Sequence, residues 1–315
     1  MALKPLSPRS RHGFRVRVPC STSNVGSGFD ALGIALDLFL EARWKPAERT
    51  RLERRGALAE SLLKTGQDPV LRGMRRAAIL AGAQLPPGEI LVSAPFPPGR
   101  GLGASGAGLA AGLLLGDRLT GAGLSREVLL AEAVQLEGHP ENATASLLGG
   151  AHWSCPDEDG RWLHHPVRLH RDLRFLLVIP PYQLDTRRAR EVLPSSVALA
   201  RAVQQARRTP LLLEGLRSLD PQLLRIGTGD DLHVAPRLRL LAGADRILEA
   251  ARKAGALAAT LSGAGSAMLV LGSSAAIEPL EKVLQARVRR LWGEAGQVIR
   301  ARARSGAPEV QRAPA

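Results

Sequence analysis

Apolar and polar residues alternate at Phe14-Arg15-Val16-Arg17-Val18, the two-residue period of a half-buried strand. Pro19, with no N–H to donate, is expected to end it. Cys20 to Asp30 is rich in hydroxyls, Asn and Gly and reads as a loop. Ala31 to Leu36 reads as a short helix and Asp37 to Trp44 as a strand, so Asp30 falls at a helix start, where an acid serves as a cap. Residues 45–69 are charged and irregular. Val70 to Ala83 turns Met74, Ala77, Ala78 and Leu80 to one face, as a helix does. Glu89 to Ala94 is a strand, and an apolar helix runs to Leu119. Gly108 and Gly112 in that helix each cost about 1 kcal/mol against Ala, which close packing on a neighbour would offset. Ser125 caps the next helix, which Gly138 ends after Glu137.

Further on, Gly149 to Ser154, Trp162 to Leu169 and Arg174 to Ile179 read as strands. Helices are expected from Asp185 or Thr186, over 195–208, 210–219, 221–225 and 245–254, and from Ala276 to Trp292. Strands Ala258–Leu261 and Met268–Leu271 flank the loop Ser262-Gly263-Ala264-Gly265-Ser266. The pattern is α+β in two domains, 14–167 and 168–304, with a loose tail at 1–13 and a disordered one at 305–315.

One stretch draws the chemistry. Pro97-Pro98-Gly99-Arg100-Gly101-Leu102-Gly103-Ala104-Ser105-Gly106 places four glycines after two prolines and before a helix. Uncovered backbone N–H groups at the positive end of a helix dipole suit phosphate. Ser105, at the helix start, is placed to cap it or to hold a metal ion. The lettering Gly101-x-Gly103-x-x-Gly106 matches a dinucleotide fingerprint, but such a loop follows directly on a strand, and here prolines intervene. No GxxxxGK[ST] occurs.

Composition narrows this only a little. The chain has 315 residues, 45% of them hydrophobic, enough for two packed cores. It carries no apolar run long enough to span a membrane and no secretory h-region in its first dozen residues. Cys20 and Cys155 make no disulfide framework and are expected as reduced thiols in the cytoplasm. Net charge is +14, yet the arginines are spread along the chain and aromatics are only 3%. Single-strand binding interleaves aromatics with basic residues, so the arginines read as solvated and nucleic acid is not the expected partner. The densest basic run is Arg287-Val288-Arg289-Arg290.

Four stretches in order resemble one family. Pro95 to Gly108 resembles the phosphate loop of the GHMP small-molecule kinases, and Leu261 to Ser266 their third motif. Ser23-Asn24-Val25-Gly26-Ser27-Gly28-Phe29-Asp30-Ala31-Leu32-Gly33 is similar to the N-terminal stretch of the homoserine kinase branch. Glu137-Gly138-His139-Pro140-Glu141-Asn142, with Gly149-Gly150 after it, is similar to that branch's next element. Thr186 to Pro194 and Asp230-Asp231-Leu232-His233 with Arg237 agree. The chain departs from the pattern at Ala104 (for Ser), Glu141 (for Asp), Ser266 and Ser27 (for Pro).

The resemblance implies a GHMP architecture, with a ribosomal-protein-like N-terminal half and a ferredoxin-like C-terminal half. It implies transfer of a phosphoryl group from ATP, with Mg²⁺, to the hydroxyl of L-homoserine. Residues Pro97 to Gly106 would hold the phosphates, and Ser105 and Glu137 the metal, with Glu132 as the alternative to Glu137. Arg190 and Arg237 would meet the substrate carboxylate, Asp30 its ammonium, and His139 would also bind it. Asn24, Asn142 and Thr186 would surround the reacting hydroxyl. The adenine pocket is expected within 61–80. A homodimer is compatible with this reading. The competing readings are a GHMP kinase for another small alcohol, such as mevalonate, a basic RNA-binding module and an NAD(P) enzyme.

Overall fold

The structure, a computed structural model, describes residues 12–59 and 63–313. Strands β1 (Phe14–Asn24) and β2 (Gly28–Pro46) form a long antiparallel hairpin, from Phe14 opposite Trp44 to Asn24 opposite Gly28. Pro19 does not end β1. It sits at a register shift between Pro19 and Ser21, an irregularity that tolerates the missing donor. Ala31 to Leu36 is strand, not helix. Leu32 and Ile34 pair with Trp153 and Ala151 of β5 (Ala151–Pro156), while Ile34 and Ala35 pair with β1. A short, wholly apolar run carries no period, so partners on both edges decide its form. Asp30 therefore caps no helix.

β4 (Gly88–Ala94) extends the sheet antiparallel to β2, and β3 (Arg51–Gly56) lies parallel to β4 at the edge. The stretch 45–69 is thus not wholly irregular, and the charges of β3 suit an edge strand. β6 (Trp162–Pro166) pairs with β5. β11 (Val310–Arg312) pairs with β1, and the Ala313 N–H donates to the Gly13 carbonyl at 2.9 Å. The segment expected as a disordered tail is ordered as far as Ala313. Residues 1–11, expected as a loose tail, and 314–315 lie outside the described residues.

Helices α1 (Pro69–Leu80) and α2 (Ala104–Thr120) cross at backbone distance. A Cβ at Gly112 would stand 2.0 Å from the Val70 carbonyl oxygen, which accounts for that glycine. In α3 (Arg126–Glu137) the Ser125 hydroxyl accepts from the Val128 N–H, and Gly138 ends the helix at φ 87°, both as expected. α4 (Pro140–Leu148) has no counterpart in the sequence pattern, because Pro140 to Leu147 are all buried and no polar face marks a period.

The second half is built on an antiparallel sheet in the order β10 (Gln297–Ala301), β7 (Leu173–Ile179), β9 (Met268–Ser273), β8 (Ala258–Leu261). The apolar faces of α9 (Ala244–Lys253) and α10 (Ile277–Trp292) pack on it. α5 (Thr186–Glu191) is capped by Asp185. α6 (Leu199–Ser218) is one helix containing Pro210, where two were expected. α7 (Pro221–Gly227) and the short α8 (Val234–Leu238) follow it in the chain. Among the described residues no helix is long and apolar enough to cross a membrane.

Candidate active site

The glycine loop leads from β4 into α2. Gly99, Gly101 and Gly103 adopt φ of 69°, 71° and 64°, a region open to glycine and strained for other residues. Gly103 is the N-cap of α2, so Ser105 does not cap the helix; it lies within the first turn. Three segments meet here. A Cβ on Gly101 would stand 2.0 Å from the Ser262 carbonyl oxygen, and one on Gly103 would stand 2.1 Å from Ser21 Oγ. The Ser262 hydroxyl donates to the Gly101 carbonyl at 2.6 Å, and the Gly263 N–H donates to the Ser23 carbonyl at 2.9 Å. The Arg100 guanidinium turns away and donates to the Pro181 carbonyl at 3.1 Å. The N–H groups of the first turn of α2, with their partial positive charge, stay with the loop.

The loop floors a cleft of about 410 Å³. Residues 97–105, Asn24, Asp30 and Glu137 line it, as do His139, Asn142, Thr186, Arg190 and Arg237. Gly106 lies behind it, buried against Asn142. One part of the wall is apolar: Leu40, Leu58, Val70 and Val92. Leu63, Asp68, Pro69 and Val70 of the cleft lining fall in the stretch expected to hold adenine, and residues 61 and 62 of that stretch lie outside the described residues. Leu40 and Val92 come from β2 and β4 and Leu58 from the turn after β3, which no local motif announces. Gln183 also lines the cleft, and its only sequence signal is its place just before the Thr186 motif.

The Ser105 hydroxyl donates to Glu137 Oε2 at 2.9 Å. Burial pushes the Glu137 carboxyl above its usual range, opposed by the charge of His139 and the Ser105 hydroxyl. Two hard oxygen donors beside a phosphate cradle suit Mg²⁺, which takes one or two protein ligands and completes its shell with phosphate and water. Glu132, the alternative, is gripped by Arg76 through two hydrogen bonds, at 2.5 and 3.0 Å, and does not line the cleft.

Beyond the metal corner, Asp30 and Arg190 form a two-pronged ion pair, both bonds 3.0 Å, across 160 residues of sequence. Asn24 holds the turn by accepting the Asp30 N–H at 2.9 Å. Asn24, Val25 and Asp30 all carry positive φ, at 71°, 38° and 52°. Three non-glycine residues in that region mark backbone strain concentrated at one site. Arg237 is 1% exposed. Its guanidinium donates to the Ala189 carbonyl at 3.1 Å, to His233 Nδ1 at 3.0 Å and to the Gly263 carbonyl at 3.4 Å. Burial draws its pKa down to about 10 although the Asp30 carboxylate opposes this.

Glu141 is buried, with Oε1 3.2 Å from His139 Nδ1 and accepting from Asn142 Nδ2 at 3.2 Å. Asn142 Oδ1 accepts from the Ser21 hydroxyl at 2.9 Å. Burial lowers the His139 pKa, but Glu141 and Glu137 outweigh it and hold His139 above its ordinary value.

A glycine loop opening a buried helix, roofed by the second Gly/Ser loop and faced by carboxylates and arginines from both halves, defines a small-molecule kinase of the GHMP class. The GHMP kinases N terminal domain model matches residues 69–150, and the GHMP kinases C terminal model matches 212–290. Within that class the chain belongs to the homoserine kinase family. It is 36% identical over 296 residues to homoserine kinase of Prochlorococcus marinus (strain MIT 9215), covering 91% of each chain. It is 36% identical over 272 residues to homoserine kinase of Thermus thermophilus, covering 86% of this chain and 91% of that one. Homoserine kinase of Cytophaga hutchinsonii superposes with a TM-score of 0.82 at 23% identity, over 98% of this chain and 100% of that one. Putative homoserine kinase of Listeria monocytogenes superposes with a TM-score of 0.76 at 26% identity, over 95% and 100%. The protein is therefore an ATP-using kinase.

Proposed function

We propose that the protein transfers the γ-phosphoryl group of ATP to the side-chain hydroxyl of L-homoserine, forming O-phospho-L-homoserine for threonine biosynthesis in the cytoplasm. The observation that carries this reading is the Asp30–Arg190 pair beside buried Arg237, set over a phosphate cradle. A free amino acid presents a carboxylate and an ammonium on one carbon. Arg190 and Arg237 suit the first and Asp30 the second. Without substrate, Asp30 and Arg190 satisfy each other. An entering zwitterion exchanges that pair for two new ones and leaves the charge balanced. Mevalonate, which lacks an ammonium, would draw Arg190 to its carboxylate and give Asp30 nothing in exchange, a penalty of the kind that gives strong discrimination.

Phosphoryl transfer is mostly positioning and charge neutralisation. The backbone of Pro97 to Gly106 would hold the phosphates. Ser105 and Glu137 would hold Mg²⁺, which when bound neutralises phosphate charge. Asn24, Asn142 and Thr186 would orient the acceptor hydroxyl, with His139 and Glu141 alongside. Asn142 cannot accept a proton, so we assign that role to the transferring phosphate. Asn142→Asp is then expected to give no gain in kcat, and a large gain in single-turnover measurements would sink the assignment.

ADP release coupled to NADH oxidation tests the function directly. Turnover is expected with L-homoserine and not with mevalonate; the opposite preference overturns the reading. Asp30→Asn is expected to raise the KM for homoserine about 10- to 100-fold, as loss of a charge-assisted hydrogen bond does, with the KM for ATP unchanged.

A further inference from the structure

His233 touches no part of the phosphate cradle, yet it is fully buried and held on every side. Its Nδ1 lies 3.0 Å from Arg237 Nη1, and its Nε2 lies 3.0 Å from the Gly26 carbonyl oxygen, 207 residues away. A guanidinium is always a donor, so Nδ1 must accept. A carbonyl only accepts, so Nε2 must carry the proton. The two partners leave one possibility, the neutral Nε2–H ring. Phe29 stacks on its face at 4.6 Å between centroids, with planes 18° apart, and the Arg237 guanidinium lies 5.2 Å from the same Phe29 ring.

Those contacts join two groups that the proposed reaction uses separately. On one side is Arg237. On the other is the strained turn of Asn24 to Asp30, which is seated on the second half of the chain at this spot. The Ser27 hydroxyl donates to the Gly227 carbonyl at 2.7 Å, and a Cβ on Gly26 would stand 2.1 Å from the Thr228 carbonyl oxygen. The His233 backbone N–H is itself fixed by Asp230 Oδ2, at 2.7 Å, so the ring is anchored before it reaches either partner.

We infer that His233, as the neutral Nε2–H tautomer, is a positioning residue that aims the Arg237 guanidinium and locks it in register with the turn carrying Asn24 and Asp30. The carboxylate and ammonium subsites are thereby one unit, set at a fixed spacing by a single ring. This inference rests on the homoserine reading of the cleft.

Acid pH should undo the device. The charged groups facing the ring are Asp230 and Arg237 from its own segment and Asp30 from β2. Burial lowers the His233 pKa below its ordinary value, with Asp230 and Asp30 opposing and Arg237 assisting. Protonation would set an Nδ1–H donor against the guanidinium donor, and Arg237 would have to turn away. Acceptor binding is therefore expected to weaken as pH falls through that lowered value. Unfolded chains take up the proton near the ordinary value of about 6.5. They then bind more protons than the folded chain, so stability falls as pH drops below that point.

The test joins kinetics to a direct view of the ring. His233→Phe keeps a stacking ring and removes both nitrogens. It is expected to raise the acceptor KM about 10- to 100-fold, as an unsatisfied buried charge does, with the KM for ATP within twofold. His233→Gln, whose amide oxygen can accept from Arg237, should recover part of the loss. In ¹⁵N-histidine-labelled wild-type protein, one of the seven histidines should show a bare Nδ1 and a protonated Nε2, and titrate below the ordinary histidine value. That resonance should be missing in His233→Gln. An Nδ1–H tautomer, a titration at the ordinary pKa, equal rises in both KM values or an unchanged acceptor KM overturns the inference. If His233→Phe does not fold, His233→Gln and the spectra decide. Failure of the homoserine reading is distinguishable: wild-type enzyme would then ignore homoserine, whatever tautomer the spectra show.

Discussion

Glu137→Gln is expected to lower kcat about 10²- to 10³-fold, the range seen when one preorganised charge-stabilising group is removed from an active site. Glutamine keeps the volume and can still accept the Ser105 hydroxyl, so the change isolates the charge. Glu137 stands at the C-terminal end of α3, where the helix dipole already disfavours a carboxylate, and it is buried as well. A group placed at such cost to the ligand-free protein makes sense where a cation offsets it. Two measurements accompany the kinetics. Mg²⁺-dependent ADP binding should weaken in calorimetry, while the melting temperature of the ligand-free protein should hold or rise, because a buried charge has gone. A kcat within tenfold of wild type would remove Glu137 from the metal site. The Arg76 clamp on Glu132 argues against handing the role to that residue.

Arg237→Leu is expected to cut kcat/KM for the acceptor by about 10²- to 10⁴-fold, because breaking a buried charge network costs about 3–5 kcal/mol. His233 Nδ1 and the Ala189 and Gly263 carbonyls would lose their donor at the same time. Arg237→Lys should not rescue it: an ammonium keeps the charge but cannot reproduce a fork that reaches three partners and still faces a carboxylate. ADP affinity is the internal control. The glycine loop contacts Ser262 and Gly263, not Arg237 itself, so nucleotide binding should survive. Equal losses of nucleotide and acceptor binding would show that Arg237 supports the fold rather than the acceptor site.

The sequence made some of this plain and concealed the rest for physical reasons. Helix α3 was readable at both ends, since Ser125 and Gly138 act through neighbours only a few residues away. The glycine loop was readable because positive φ and close backbone approach leave only glycine. Ala31 to Leu36 misled, because a strand paired on both edges and buried on both faces looks like any apolar run. α4 was invisible because its residues, polar ones included, are buried all round and no exposed polar face marks a period. The Asp30–Arg190 and His233–Gly26 contacts span 160 and 207 residues, and no local spacing encodes them. Asp30 and Arg190 could be proposed as site residues, but their grip on each other could not.

The strand pairing of β11 with β1 has a consequence for how the molecule is made. The second half is an excursion between strands of the first sheet. The return path is stitched down as it arrives: the Asp37 N–H donates to the Arg302 carbonyl at 2.9 Å, and the Gly150 N–H donates to the Arg304 carbonyl at 2.6 Å. During synthesis the first sheet therefore waits, with the outer edge of β1 unpaired, until residues 310–312 leave the ribosome. A bare strand edge invites pairing with other chains. The pairing of Val310–Arg312 with Phe14–Val16 is what covers that edge.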